Sequence, residues 1–455
     1  MEMVLEFLRD VLSQPALLIG IMSCIGLIAL KRPFHKVMTG TLKPILGYLM
    51  LAAGAGVIVN NLDPLGKMIE HGFHITGVVP NNEAIVAVAQ KVLGVETMSI
   101  LVVGLLMNLC IARFTKFKYV FLTGHHSLFM ACLMSAVLGT AGLAGMELIL
   151  VGGFLMGAWS AISPAIGQSY TSKVTDGDEI ALGHFGSLGY YLSAWVAKYV
   201  GKAEDSTEDI EIPEKWGFLR DSTLSTALTM IVFYLIAAIA AGSEFVSTLS
   251  GDMSPYLYAV MSAMNFAVGV TIVYSGVRMI LGDLIPAFQG IATKIIPNAI
   301  PAVDCAVFFT YAPTAVVLGF LSSFIGGIIG MLILGAVGGV LIIPGLVPHF
   351  FCGATAGIYG NATGGRRGAA VGAFLNGLAI TFLPALALPV LGQLGFQNTT
   401  FGDADFAVMG LVLGNAYEWV GMAGIYGIVA IAALVLIVPN FIKTKGKVIN
   451  YVEED

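Results

Sequence analysis

Between Pro313 and Gly338 the chain reads PTAVVLGFLSSFIGGIIGMLILGAVG, without a single charged side chain. A run of this kind, about 20 apolar residues or longer, is what a helix needs to cross the hydrocarbon core of a bilayer. Comparable runs occupy 15–30, 44–61, 97–113, 119–142, 144–163, 223–242, 255–280, 346–364, 368–392 and 421–443. The expected fold is therefore an all-α polytopic membrane protein with about eleven transmembrane helices.

Composition supports the same solvent. Of 455 residues 57% are hydrophobic and 11% charged, against about 25% charged in a soluble domain. The surface must face lipid. A net charge of −6 is set by connections, so it names no partner, and no nucleic acid is expected. Cys24, Cys110, Cys132, Cys305 and Cys352 stand singly in or beside apolar runs, which suits packing better than disulfides or a metal site. Glu2 and Glu6 precede Arg9, so the first run reads as a retained span and not a signal peptide.

Basic residues set the expected orientation. The connection KRPFHKVMTGTLK carries Lys31, Arg32, Lys36 and Lys43 and no acid, which places it in the cytoplasm and the N-terminus outside. Arg113, Lys116, Lys118, Arg278, Arg366, Arg367 and the tail lysines Lys443, Lys445 and Lys447 then fall on the same side, with the C-terminus. This requires the stretch from Thr171 to Gly201 to enter from the cytoplasm and return, and the stretch from Phe401 to Gly421 to do so from outside. Both carry Gly-Asp, at 177–178 and 402–403, and then a tryptophan, Trp195 or Trp419. Two inverted repeats, about 15–200 and 223–420, would follow, each with a re-entrant hairpin, as in transporters whose broken helices meet near the midplane. The mixed-charge segment KYVGKAEDSTEDIEIPEKWGFLR reads as a solvated cytoplasmic linker, with docking of a soluble partner as the other reading.

An ionisable side chain in lipid is costly unless it is paired or faces water, so it marks function by default. TGHHSLF supplies His125 and His126, LGHFGSLG supplies His184, IPAVDCAVF supplies Asp304, and VVPNNEAIV supplies Asn82 and Glu83. His126 neighbours His125 and would point elsewhere on a helix. Glu83 reads equally as an exposed loop residue. Glu147 and Glu418 also lie in apolar settings, where adjacent connections could solvate them. No His-Glu-x-x-His or i, i+4 histidine pair exists, and GNATGGRRGAAVG lacks the Gly-Lys-Ser/Thr ending of a phosphate loop. No cofactor is expected. Imidazoles, amides and a carboxylate beside Phe129, Phe185 and Tyr190 suit a compact polyhydroxylated solute, since hydroxyls need donors and acceptors and a carboxylate accepts strongly. An ion-coupled transporter of a polyol or organic acid, with Asp304 and Glu83 as ion carriers, fits the same residues. A membrane enzyme with the histidine pair on a metal fits them less well.

FLTGHH, KVTDGDEIALGH, IPAVDCAVFFTYAPTAVVLGF and LIIPGLVPHFF with GNATGGRRGA resemble the ascorbate permease family, the membrane IIC component of the bacterial phosphoenolpyruvate-dependent phosphotransferase system. The resemblance implies a homodimer in the inner membrane, each chain split into a V-motif domain and a core domain. The expected V-motif parts are 1–61 and 223–280 and the core parts 62–200 and 281–420. A linker at 201–222 and a last helix and tail at 421–455 complete the chain. It implies that L-ascorbate crosses by an elevator-like shift of the core and is phosphorylated by a phosphocysteine on a separate IIB protein, itself supplied by IIA. No covalent chemistry is then expected of this chain. The implied ascorbate contacts are Asn82, Glu83, His125, His126, Ser127, Leu128, Phe129, His184, Phe185 and Asp304. The family can carry glutamine where this chain has Phe129 and Phe185, and has Thr-Tyr where it has Asn82-Glu83.

Overall fold

The computed structural model describes residues 11, 14–74, 77–80, 82–177, 179–210, 222–392 and 399–441. Asp178, the segment 211–221, the tail lysines and the side chain of Glu83 lie outside the described residues, so the expectations that fall on them are not taken further. Thirteen helices are followed below: α1 Pro15–Ala29, α2 Phe34–Phe73, α3 Asn82–Phe114, α4 Gly124–Thr140, α5 Gly145–Thr175, α6 Ser187–Val200, α7 Ser222–Ala241, α8 Ser243–Ser250, α9 Pro255–Lys294, α10 Pro313–Ala336, α11 Leu346–Gly392, α12 Ala404–Val420 and α13 Met422–Ile437. Between them lie five short strands: β1 Val79–Pro80, β2 Tyr119–Phe121, β3 Ala181–Leu182, β4 Ile300–Val303 and β5 Thr399–Thr400.

Among the described residues seven helices are long and apolar enough to cross a membrane. The pair Thr226–Ala241 and Ser243–Ser250, bent by 116°, makes an eighth. The expected eleven shrink for local reasons. The run 15–30 yields a 15-residue helix. The run 119–142 begins as β2, leaving 17 residues of α4. The runs 346–364 and 368–392 are the two arms of α11, counted as one of the seven above. The chain doubles back at Gly364 and Gly365, Gly365 with φ of 60°, so that a Cβ on Gly360 would meet Gly368 O at 2.4 Å. Conversely α2 is a 40-residue helix that starts at Phe34, directly after Pro33, so much of the basic connection read as a loop is helical. At 1.5 Å per residue α2 is about 60 Å long, twice the hydrocarbon thickness of about 30 Å. It projects beyond the apolar layer, and the boundary expected at 61/62 falls inside it.

Lipid is the solvent for the outer faces. In α13 only Ile425 and Leu436 are buried in a helix made almost wholly of apolar residues, and a helix that is apolar all round needs an apolar surrounding. Glu147, unexplained by the sequence, receives the Tyr426 hydroxyl, which ties α13 to α5. The multi-pass membrane assignment therefore rests on exposed apolar surface as well as on hydropathy.

The two 40-residue helices α2 and α9 lie against each other through glycines. A Cβ placed on Gly276 would meet Gly47 O at 2.5 Å and Leu51 N at 2.6 Å. Small residues let helix backbones approach in this way when lipid supplies no hydrophobic drive between helices. The described part of the mixed-charge segment is docked. Glu208 accepts from Thr314 N at 3.0 Å and Ala315 N at 3.2 Å, capping α10, and Asn361 accepts from Thr207 N at 2.8 Å.

The strands solve a backbone problem. Chain that leaves helical geometry inside the protein must find partners for its N–H and C=O groups. β4 runs parallel between β2 and β3, pairing Phe121 with Ala302 and Leu182 with Val303. β1 pairs with β5, Val79 with Thr399. Each sheet therefore joins the first half of the chain to the second. Each strand is followed within five residues by the start of a helix: α3, α4, α6, the 3-10 turn Cys305–Thr310, and α12.

Candidate functional site

Polar side chains stand at these strand-to-helix junctions. Asn82 follows β1, His125 and His126 follow β2, His184 follows β3, Asp304 follows β4 and Asp403 follows β5. Parallel pairing aligns the strand ends, so residues up to 321 positions apart meet at one place. All six line one cavity of about 770 Å³, together with Tyr48 from α2, Phe129, Cys305 and Phe351. That volume lies in the range of small-molecule sites. Five helix N-termini converge here, each favouring negative charge or an acceptor oxygen by about 0.3–1 kcal/mol.

The contacts are specific. His125 Nε2 lies 3.5 Å from Asp304 Oδ2, and its Nδ1 lies 3.3 Å from the Tyr48 hydroxyl. Asp304 also caps the 3-10 turn, accepting from Ala306 N at 3.0 Å. Asn82 bridges to the β5 junction: its Nδ2 donates to Asp403 Oδ2 at 2.5 Å and its Oδ1 accepts from Gly402 N at 2.9 Å. The Cys352 thiol donates to Asp403 Oδ1 at 2.9 Å. The rings of His126 and His184 are 3.8 Å apart, centroid to centroid, and His126 stacks on Phe406 at 5.6 Å.

Backbone donors fix two imidazole tautomers. Phe185 N donates to His126 Nδ1 at 3.3 Å, and Gly186 N donates to His184 Nδ1 at 3.1 Å. An amide N–H can only donate, so each Nδ1 is an acceptor and each Nε2 carries hydrogen. The ligand atoms of His126, His184 and Asp403 are within 4.8 Å of one another, close enough to invite a metal reading. With both Nδ1 lone pairs engaged and both Nε2 atoms protonated, neither ring offers a ligating nitrogen. With Asp304 added, the cavity instead presents two N–H donors and two carboxyl groups, a pattern for hydroxyl and carbonyl oxygens.

Behind this surface Asp405 holds the two short re-entering segments together. It is fully buried. Its Oδ2 accepts from Ser187 Oγ at 2.7 Å and Trp159 Nε1 at 3.2 Å, and its Oδ1 accepts from Leu188 N at 2.9 Å. Its own N–H donates to Phe185 O at 3.0 Å. A carboxyl group from the second half thus caps α6 in the first.

The cavity gathers Asn82, His125, His126, Phe129, His184 and Asp304 of the residues expected from sequence. It does not gather Ser127, Leu128 or Phe185. Ser127 donates back to Thr123 O at 3.3 Å. Leu128, although i+3 from His125, packs half-buried against the apolar core and does not line the cavity, whereas Phe129 at i+4 does. The Phe185 ring is fully buried and stacks on Phe121 at 4.6 Å; only its backbone serves the site. His126 does diverge from His125, but toward His184. Sequence reasoning missed Tyr48, which sits in an apolar run, and Asp403 and Asp405. The signal for the last two was present as two acids inside FGDADFAVMG.

The family described as PTS system sugar-specific permease component, EIIC-GAT, matches residues 10–405. The ascorbate-specific PTS system EIIC component of Mycoplasma pneumoniae (strain ATCC 29342 / M129 / Subtype 1) is 27% identical over 417 residues, covering 78% of this chain and 62% of that protein. The chain thus spans less than two thirds of the length of that relative. A match over most of the chain, joined to apolar helices around a polar cavity, shows that this protein belongs to the sugar-specific permease components of the phosphotransferase system.

Proposed function

We propose that the cavity binds L-ascorbate and that the chain carries it into the cytoplasm, where a partner IIB protein, recharged by IIA, phosphorylates it. The observation that carries this reading is the convergence of Asn82, His125, His126, His184, Asp304 and Asp403 on one cavity. Ascorbate offers a compact ring with hydroxyls, a carbonyl and an enediol. The two Nε2–H groups suit its acceptor oxygens and the carboxyl groups suit its hydroxyls. A solute lacking those hydroxyls strands buried polar groups and is rejected. The ascorbate-specific relative supports the choice among sugars.

The proposed movement is an elevator-like shift of the strand-broken core against a scaffold built on α2 and α9, in a homodimer with inverted repeats. In support, α6 and α12 have 14 and 17 residues, short of the about 20 needed to span, as re-entrant helices would be. With Lys31–Lys43 in the cytoplasm, the Asp63, Lys67 and Glu70 end of the cavity faces outside, so the described form is open to the outer side. The N-terminus is then outside and the C-terminus cytoplasmic.

Uptake into vesicles holding only this chain, with and without soluble phosphotransferase proteins, tests the function. Accumulation of phosphorylated ascorbate that needs the soluble proteins is expected. Gradient-driven accumulation without them would establish an ion-coupled transporter in its place. Competition by sugars and polyols at equal concentration tests the solute: they should fail to displace ascorbate.

A further inference from the structure

Ascorbate is a vinylogous acid, ionised at neutral pH, yet the inner end of the cavity offers it two carboxyl groups and no fixed cation. Among the described lining residues the one lysine or arginine is Lys67. It is paired with Asp63 at 2.8 Å. It stands 19 residues beyond Tyr48 on α2, about 28 Å along the axis at helical rise, and a charge that far away is screened. The converging helix N-termini offset part of the repulsion, but Asp304 caps the 3-10 turn and Asp403 stands at the N-cap position of α12. An anion within contact distance of a carboxylate in a low-dielectric cavity is strongly repelled.

Three imidazoles could supply the missing positive charge, and their bonding separates them. His126 and His184 cannot be protonated at Nδ1 without expelling the amide N–H groups of Phe185 and Gly186. His125 has no such donor. Its Nδ1 faces the Tyr48 hydroxyl, which accepts as readily as it donates, and its Nε2 faces Asp304. Among the described residues its ring nitrogens meet only Tyr48 and Asp304.

We propose that the anionic solute binds together with one proton taken from solution, and that this proton resides on His125. The inference rests on the ascorbate reading above. The groups facing His125 fit that role. Asp304 on the β4 junction stabilises the imidazolium and the Tyr48 hydroxyl on α2 turns its oxygen to Nδ1. His126 on the same helix and His184 on the β3 junction remain neutral. Asp403 on the β5 junction adds negative charge to the cavity, and Cys305 stays a thiol. The cation so formed lies in the cavity wall, where the solute enolate can meet it.

Calorimetric titration of the purified full chain with ascorbate, repeated at pH 7 in buffers of different ionisation enthalpy, counts the protons taken up. The expected count is about one per solute, and by linkage the affinity should weaken about tenfold per pH unit on the alkaline side. His125→Gln should bind more weakly, with a proton count near zero and little pH dependence. A count of zero in the unaltered protein overturns the inference while leaving the ascorbate reading intact. A count of one that survives in His125→Gln also overturns it, because the proton then sits elsewhere. Should His125→Gln bind too weakly to titrate, the pH slope of the unaltered protein decides: a flat profile defeats the proposal. Absence of any ascorbate binding to the unaltered protein defeats the ascorbate reading, and this inference with it.

Discussion

Asp405 has no access to the cavity, and its substitution separates architecture from contact. Three donors converge on its carboxyl group: Ser187 Oγ, Leu188 N and Trp159 Nε1. In Asp405→Ala all three lose their acceptor inside a buried site. Each stranded donor costs about 1–3 kcal/mol, so the total of about 3–9 kcal/mol rivals the whole stability of many proteins, about 5–15 kcal/mol. Asp405→Asn is the informative variant. Its carbonyl oxygen can take the Oδ1 place and keep Leu188 N, and Ser187 can turn its hydroxyl to accept from the new amide. The indole N–H of Trp159 then faces another donor. With the oxygen in the other place, Leu188 N does so instead. Either way one donor is stranded, at a cost of about 1–3 kcal/mol. Thermal unfolding in detergent reads the stability, and ascorbate titration reads the site. Affinity should also fall, because His184 lies three residues before Ser187 and Asp403 two residues before Asp405. Unfolding temperature and affinity both unchanged in Asp405→Asn would refute the reasoning.

Other expectations follow from single contacts. Asn82→Ala removes both bonds to the β5 junction and should weaken ascorbate binding by about 1–3 kcal/mol, about 5- to 150-fold at equilibrium, with helical content by circular dichroism preserved. Gly276→Ala places a Cβ against backbone atoms of Gly47 and Leu51 and should destabilise the protein by about 1–3 kcal/mol, seen as a lower unfolding temperature. Trp159→Phe removes one donor from Asp405 and should cost less than Asp405→Asn in the same assay. A bifunctional crosslink between cysteines placed at positions 266 and 350, where the rings of α9 and α11 meet at 5.0 Å outside the cavity lining, should stop uptake that the uncrosslinked pair supports; full transport in the crosslinked protein would contradict the elevator proposal.

Much of this was legible in the sequence, unevenly. The membrane setting was readable from charge-free runs such as 313–338. The count of spans was not, because hydropathy cannot tell a strand such as Tyr119–Phe121 from helix, whereas the turn at Gly364–Gly365 does separate the runs 346–364 and 368–392. His125, His184 and Asp304 stood out because an ionisable group in an apolar run is expensive. Asp403 did not, although Gly402-Asp403 was conspicuous as a repeated dipeptide, because its significance lies in a bond to Asn82 across 321 positions. Tyr48 was invisible for a similar reason: a tyrosine in a helix says nothing of what meets its hydroxyl. Ser127, Leu128 and Phe185 do not line the cavity, since a contiguous stretch takes in residues that a helix or a strand-to-helix turn points elsewhere.

The account stands on the strand-end cluster gripping a hydroxylated solute. Equilibrium binding of radiolabelled ascorbate to purified protein, beside Asp304→Asn and His184→Ala, measures that most directly. Saturable binding to the unaltered chain, lost in both variants while their unfolding temperatures stay near the original, is the predicted result. Equal affinity in all three proteins would mean that ascorbate rests somewhere else.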